Sequence, residues 1–497
     1  MSRYKLFEKN LHKLKFLEKK YPIDSLNFNG INIFPLVRLI LHSNVTRNNY
    51  IKRKEFYYNK IKSKFITLFK LPKFYIEKLK FNLSLKQLMS KKIELLFFSD
   101  HLFYYDNIKG KKINLFIDPY YEALKKKYKM LKVEIVSNNF KKSFKKRNEP
   151  FYLKLFYLDI FEYLKRSFNN IIGTRKYYKI NTLNKKFLNT ALGAAEINKM
   201  TEKLDQIIFD SEKIKIFLKK INPKAVFLTC YYSYSNLAVI LACKNLKIPT
   251  IDIQHGGHEL YHLMYSNWKN VPNNGFALLP DYFWIWGKNQ KNEGIFNNDN
   301  SKHKYIVGGK TQVDFWKKNK NIIDEKMSGA QKKIFIKKIK KYKKIILFSA
   351  TYTQIPNIIF LLIKKSPKNW LWLIRAHPRH SNINEINDQF SNKKILNVEI
   401  YFPTKANLNF LLNNITHLIV EFSSVIYDAL YFNVPSIVLH KKPHHFKKNI
   451  ENKNLKFSLN QVEILKFIKK KTTTINRDKI VTDPKYARYA VKKIIQK

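Results

Sequence analysis

The sequence predicts an α/β protein built from two doubly wound, parallel-sheet domains that face each other across a cleft. Three observations carry that expectation. Short apolar runs of strand length recur, separated by segments long enough for crossover helices. The order strand, helix, proline, strand occurs twice, ahead of Pro249 and again ahead of Pro435. Loops rich in His, Arg, Gly and Ser follow directly on apolar runs, which is where open α/β sheets place their ligands.

The elements follow in order. Ile93 to Asp100 reads as a first buried strand, Tyr120 to Tyr128 as a helix, and Val133 to Val136 as a strand. Ala225 to Thr229, Ser235 to Asn245 and Thr250 to Ile253 form one βαβ unit with an expected right-handed crossover. The second half repeats the plan with strands at Ile345 to Phe348, Leu371 to Ile374, His417 to Glu421 and Ser436 to His440. A helix is expected from Ser423 to Phe432, and Tyr305 to Val307 is expected to open this second half. The expected division is a basic, mainly helical extension over 1–90, a first Rossmann-like domain over 91–295, a second over 300–450, and a helical tail over 451–497. The joint is placed at the polar run Asn297 to Ser301.

Composition sets the limits. A chain of 497 residues is too long for one core, and 45% hydrophobic residues supply enough apolar material to exclude global disorder. Its two cysteines, Cys230 and Cys243, lie in apolar segments and exclude both a disulfide scaffold and a four-cysteine zinc site. The formal net charge is +59. Such a balance suits an anionic partner, yet the basic residues are mostly Lys, and Asn, Ile, Phe and Tyr are also abundant, a bias that A/T-rich codons produce. No helix-turn-helix, zinc finger or aromatic RNA-binding signature accompanies it, so nucleic acid is not the expected partner. A solvated basic surface, partly useful at an anionic membrane, is expected instead. Lys-rich amphipathic sequence such as Phe65 to Leu71 suits it, although helices packed on the next domain explain residues 1–90 equally well. No secretory signal or membrane span is expected; Ala225 to Cys243 is uncharged, but Tyr231 to Asn236 break it into strand, polar loop and helix. A cytoplasmic protein, peripheral on the inner face of the membrane, is expected.

Two loop sets carry the chemistry. In the first half, Gln254, His255, Gly256 and Gly257 follow a buried strand: the glycines permit positive φ and close backbone approach, and His255 can accept a proton near neutral pH. Asp252 and Glu259 are the nearby carboxylates. In the second half, Arg375, Ala376, His377 and Pro378 put a guanidinium and an imidazole on a stiffened loop suited to phosphate. Ser423 and Ser424 stand where a helix begins, as N-caps and as phosphate ligands. His258 to His262 matches H-E-x-x-H literally, but the two preceding glycines leave little helix. Tyr265 and Trp268 occupy the places of the extended motif's Gly and third His, so no metal is expected.

In order along the chain, Gln-His-Gly (254 to 256), Trp-Ile-Trp-Gly (284 to 287), Val-Gly-Gly (307 to 309), Arg-Ala-His-Pro (375 to 378), Glu-Phe-Ser-Ser-Val (421 to 425) and Tyr-Asp-Ala-Leu (427 to 430) resemble the GT-B enzymes of bacterial surface-polysaccharide synthesis. The nearest groups are capsule polysaccharide biosynthesis proteins, polysialyltransferases and teichoic-acid glycerophosphotransferases. The resemblance implies the GT-B fold and transfer from a nucleotide-activated donor, CMP- or CDP-linked, to a glycan or lipid-linked acceptor, without metal or other cofactor. It implies a base at His255 and donor-phosphate contacts from His377, Pro378, Ser423 and Ser424, with Arg375, Gly308 and Gly309 in the same nucleotide site. The paired-acid-plus-Gly motif of polysialyltransferases is missing, and so is the two-glutamate signature of retaining enzymes, since Glu421 is followed by Asp428 at the wrong spacing. An inverting displacement is therefore expected. A UDP-sugar 2-epimerase-like enzyme of the same fold, and a noncatalytic capsule-assembly or polyanion-binding protein, are the alternatives.

Overall fold

A computed structural model of the chain describes residues 3–47, 71–99, 104–108, 111–136, 149–172, 182–257, 262–288, 302–318, 328–377, 382–393, 395, 397–421, 423–440, 455–470 and 483–496. Residues 65–70 of the expected amphipathic stretch lie outside them. Two short antiparallel hairpins, β1 (Asn27–Phe28) with β2 (Ile31–Asn32) and β4 (Tyr104–Ile108) with β5 (Lys111–Asn114), flank the main sheets.

The first sheet contains β3 (Leu95–Phe98), β6 (Met130–Ile135), β7 (Phe151–Leu153), β8 (Ala225–Thr229), β9 (Thr250–Ile253), β10 (Tyr282–Ile285) and β11 (Lys304–Val307). Its order is β11-β10-β9-β8-β3-β6-β7, parallel throughout. The strands are mostly apolar on both faces because both are covered; the buried exceptions include Asp252 in β9 and Lys132 in β6, which pairs with Asp118 at 2.7 Å. Leu96, Phe98, Val226 and Leu228 face one core, with helices Phe34–Arg47, Ala194–Ile221 and Tyr234–Asn245. Leu95, Phe97, Ala225 and Phe227 face the other, with Tyr120 and Leu124. The uncharged stretch Ala225 to Cys243 resolves as expected into β8, a turn and a helix, whose start Ser233 caps by accepting from the Asn236 N–H at 3.2 Å.

The second sheet contains β12 (Lys344–Ser349), β13 (Trp370–Arg375), β14 (Val398–Glu399), β15 (His417–Val420), β16 (Ser436–Val438) and β17 (Leu455–Phe457) in the order β14-β13-β12-β15-β16-β17, again all parallel. Alternating residues again serve two cores, Leu347, Leu373 and Leu418 on one side, Ile346, Trp372 and Ile419 on the other. The order reverses between β3 and β8 in one sheet and between β12 and β15 in the other, and ligand crevices open at such switch points.

Three expected boundaries move. Strand β11 pairs with β10, so Tyr305 to Val307 close the first sheet instead of opening the second domain. Gly308 and Gly309 therefore lie on the first domain. A Cβ on Gly308 would stand 1.9 Å from the Trp284 indole, and Gly309, at φ +82°, offers its carbonyl to Trp284 Nε1 and Tyr120 Oη, both at 3.0 Å. Packing thus explains both glycines. Because Trp284 is fully buried and hydrogen-bonded, Gly308→Ala is expected to destabilise the first domain by about 1–3 kcal/mol or more, measurable by urea unfolding.

The tail expected over 451–497 is divided. Strand β17 and helix Gln461–Lys469 join the second domain, whereas Ala487, Ala490, Val491 and Ile494 of helix Pro484–Ile495 return to the first-domain core beside Leu95 and Tyr120. The N-terminal extension is likewise integral: Leu14, Leu17, Phe34 and Val37 share one core with Leu96 and Val226.

The domains meet at their carboxyl edges. Trp286, just past β10, enters the second-domain core and meets Tyr427 edge-on at 5.6 Å between centroids. Lys310, just past β11, places its ammonium 4.1 Å over the Trp286 ring and pairs with Asp428. Tyr427 and Asp428 lie in helix Val425–Tyr431, which follows β15, so the strand ends of both sheets look toward one cleft.

Candidate functional site

On the first-domain side the centre is Asp252 in β9. It is fully buried, with Oδ1 accepting from the Tyr231 N–H at 3.1 Å and Oδ2 from the Tyr265 hydroxyl at 2.6 Å. Burial pushes its pKa up to about 8, against the opposing pull of the Tyr265 hydroxyl and the Tyr231 and Cys230 N–H groups. Burial also raises Tyr265 far above the usual phenol range, so its proton stays on oxygen. Tyr265 Oη stands 3.5 Å from His255 Nδ1, and Tyr232 Oη stands 3.4 Å from both His255 Nε2 and His262 Nε2. The outcome is a chain from a buried carboxyl through a phenol to a half-buried imidazole. Asp252 is sealed from solvent, and its side chain reaches His255 only through Tyr265.

The sequence names Asp252 and His255 as candidates but does not show which residues orient them. His42, from helix Phe34–Arg47, stacks on His262 at 4.5 Å between centroids and meets Tyr232 edge-on at 5.7 Å. Arg38, one turn earlier and fully buried, donates to the carbonyls of Leu263 (2.7 Å from Nη2), Ser266 and Asn267, lies 4.1 Å from the Trp268 ring centroid, and faces Glu18 at 3.5 Å. The N-terminal helices therefore grip the segment that carries His262 and Tyr265.

Gln254 is a brace. Its side chain donates to the Gly256 carbonyl at 2.8 Å and accepts from the Trp286 N–H at 2.9 Å, tying the His255 turn to the interdomain contact. The positive φ expected of the glycine pair is not seen at Gly256; a Cβ there would meet nothing within 4 Å, so the glycine leaves open space beside His255. Gly257 ends this described stretch, and Glu259, with His258, lies outside the described residues. Among the described residues no three His, Cys, Asp or Glu side chains are grouped to hold a metal ion.

On the second-domain side Arg375 does something the sequence did not show. Its Nη1 donates to the carbonyls of Pro403 and Ala406, and the Ala376 N–H donates to Thr404 Oγ1 at 3.0 Å. The loop base is thereby clamped, and His377 leaves it from a fixed backbone; Pro378 lies outside the described residues. Ser423 Oγ accepts from the Val425 N–H at 3.4 Å and Ser424 O from the Tyr427 N–H at 3.0 Å, so both serve the first turn of the helix they precede. At the switch between β12 and β15 two buried polar atoms, Thr351 Oγ1 and Glu421 Oε2, have no hydrogen-bond partner among the described residues. Burial lifts Glu421 to about 7, so it is partly neutral at physiological pH. Strand order is the signal that finds these two, and strand order is not local sequence.

Two all-parallel Rossmann-like domains with facing carboxyl edges define the GT-B class of architecture. Among solved structures the chain is similar to UDP-GlcNAc 2-epimerase from Neisseria meningitidis bound to UDP-GlcNAc (14% identity, covering 81% of this chain and 99% of that one, TM-score 0.44). It is also similar to MnaA of S. aureus with UDP (13%, 80% and 95%, 0.46) and to the wall teichoic acid polymerase TagF (11%, 85% and 92%, 0.36). No protein-family model and no curated protein matches the sequence. The assignment of the class rests on strand order and packing.

Proposed function

We propose that the chain is an inverting, metal-independent glycosyltransferase of surface-polysaccharide synthesis. It takes a nucleotide-activated sugar, CMP- or CDP-linked, and a glycan or lipid-linked acceptor. The observation that carries this reading is the Asp252, Tyr265, His255 chain at the end of β9, on an edge that faces the second domain.

The chain of hydrogen bonds has two directions. With Asp252 ionised, Tyr265 donates to it and the phenol oxygen accepts from His255 Nδ1–H, which puts the lone pair on Nε2, where Tyr232 Oη stands at 3.4 Å and gives way to the acceptor hydroxyl when Nε2 acts as the base. With Asp252 protonated, the bonds reverse, Tyr265 donates to Nδ1, and Nε2 carries the proton. Only the first arrangement accepts a proton from the acceptor hydroxyl. That oxygen then attacks the anomeric carbon, the bond from carbon to phosphate oxygen breaks, and the nucleotide leaves with the electron pair. His377 and the Ser423 and Ser424 loop meet the leaving phosphate, with Arg375 holding the loop that presents His377. Thr351 and the Glu421 carboxyl, in its protonated fraction, supply hydrogen-bonding groups at the switch point for the nucleotide.

The test is incubation with CMP-, CDP-, UDP- and GDP-activated sugars, with and without EDTA and with and without acceptor glycan, reading nucleotide release and product. Acceptor-dependent release of one nucleotide is expected, and His377→Ala should lower it by about 10²-fold or more at unchanged melting temperature. Isomerised UDP-sugar formed without acceptor would instead assign the 2-epimerase reaction. Release that EDTA abolishes would reject the metal-independent mechanism.

A further inference from the structure

Two helices of the first domain are apolar on opposite faces, and among the described residues the protein packs against only one face of each. In helix Leu71–Met89, Phe81 and Leu85 point inward, Phe81 meeting Phe151 and Tyr157 at about 5.5 Å, and Glu77 turns inward to Lys154 and the Tyr157 hydroxyl. The opposite face exposes Tyr75 (65%), Ile76 (52%), Leu79 (50%) and Leu83 (62%). In helix Ile160–Ile172, Tyr163 packs on Phe209 and Arg166 pairs with Asp205, both partners lying on helix Ala194–Ile221. Its opposite face exposes Phe161 (86%), Leu164 (53%) and Phe168 (62%), at i, i+3 and i+7. The two helices are linked in space through Phe156 and Tyr157, since Tyr157 meets Phe81 and Phe156 meets Tyr163.

Large apolar side chains at helical spacing on an outer face imply a second apolar partner. Charge decides which. The stripe on Leu71–Met89 is flanked by Lys78, Lys80 and Lys86, its one acid being turned inward, and Lys165 lies within the other stripe, where Glu162 approaches it at 3.9 Å. A second copy of a chain of net charge +59 would be repelled from this face, whereas an anionic lipid surface attracts the lysines and accepts the apolar stripe between its headgroups. No described helix is long and apolar enough to cross a membrane, so the contact is made by lying on it.

We infer that the outer faces of helices Leu71–Met89 and Ile160–Ile172 form a docking surface for an anionic lipid bilayer, with Phe161, Leu164 and Phe168 entering the headgroup layer. This stands independently of the reaction assigned to the cleft. It is tested by co-sedimentation of the full chain with vesicles of phosphatidylcholine alone or mixed with phosphatidylglycerol, at low and high salt, comparing wild type with Phe161→Ser/Phe168→Ser. Binding to the mixed vesicles, weakened by salt and lowered by about tenfold or more in the double variant, is expected. Equal binding by wild type and variant, or no binding by wild type, would overturn the assignment. So would a wild-type dimer that the substitutions convert to a monomer, because a second copy would then cover the face. Nucleotide release to a soluble acceptor should be unchanged in the variant, so failure of this surface and failure of the transferase reading are separately visible.

Discussion

Asp252→Asn is expected to reduce turnover by about 10²- to 10⁴-fold with little change in substrate KM, because an amide at this position fixes the wrong tautomer of His255. The amide oxygen would still accept from the Tyr231 N–H, but the new NH₂ group would donate to the Tyr265 oxygen, which turns the Tyr265 proton toward His255 Nδ1 and leaves Nε2 protonated. His255→Ala should be at least as severe. The same substitution of Asp252 carries a stability signature of definite sign. The Asp252 pKa rises from 3.8 to about 8 on folding, so between those values the native state holds more protons than the unfolded chain. Its contribution to stability is complete below 3.8 and is lost as pH rises toward 8. Glu421, raised to about 7, acts in the same direction. His303 and His417, lowered by burial to about 4 and about 3, act oppositely, gaining stability as pH rises toward 6.5. The difference between wild-type and Asp252→Asn unfolding curves isolates the Asp252 part, and it should shrink across pH 4 to 8 by a few kcal/mol in order of magnitude.

Arg38→Met is expected to destabilise the first domain by about 3–5 kcal/mol, read by urea unfolding. The guanidinium is fully buried, and its removal strands the carbonyls of Leu263, Ser266 and Asn267 together with the buried Glu18 carboxyl. Burial already lowers Arg38 to about 10 and raises Glu18, so the pair survives on mutual attraction and on those carbonyls. Glu18→Gln placed on top of Arg38→Met should recover part of the loss by removing the uncompensated carboxyl. Turnover should fall well below the unfolding transition, since the gripped segment carries Tyr265. Unchanged activity at full folding would show that the N-terminal helices support the fold without positioning the site.

The strands were legible because both faces of a parallel sheet are buried, and runs such as Ala225 to Thr229 and Thr250 to Ile253 stand out from a Lys-rich background. The loops after them were legible for the same reason, as polar interruptions at strand ends. What sequence could not show was pairing across distance. Nothing local tells Tyr305 to Val307 which sheet they will edge, and an amphipathic segment such as Pro484–Ile495 does not state which domain it covers. The site's supports were hidden in the same way: Arg38 and His42 come from a helix more than two hundred residues before the segment they hold. In the sequence alone, Tyr265 and Trp268 stand out only as residues that spoil an extended zinc motif. In the structure they are the phenol that lies between Asp252 and His255 and the ring over which Arg38 lies.

The most direct test of the central claim is the pH dependence of kcat/KM for acceptor with the donor that supports turnover, in wild type and in Asp252→Asn. If Asp252 sets the direction of the relay, wild-type activity rises through a pKa near 8 and the rise disappears from the residual activity of the variant. A rise near 6.5, typical of an unassisted imidazole and present equally in both proteins, would contradict the relay.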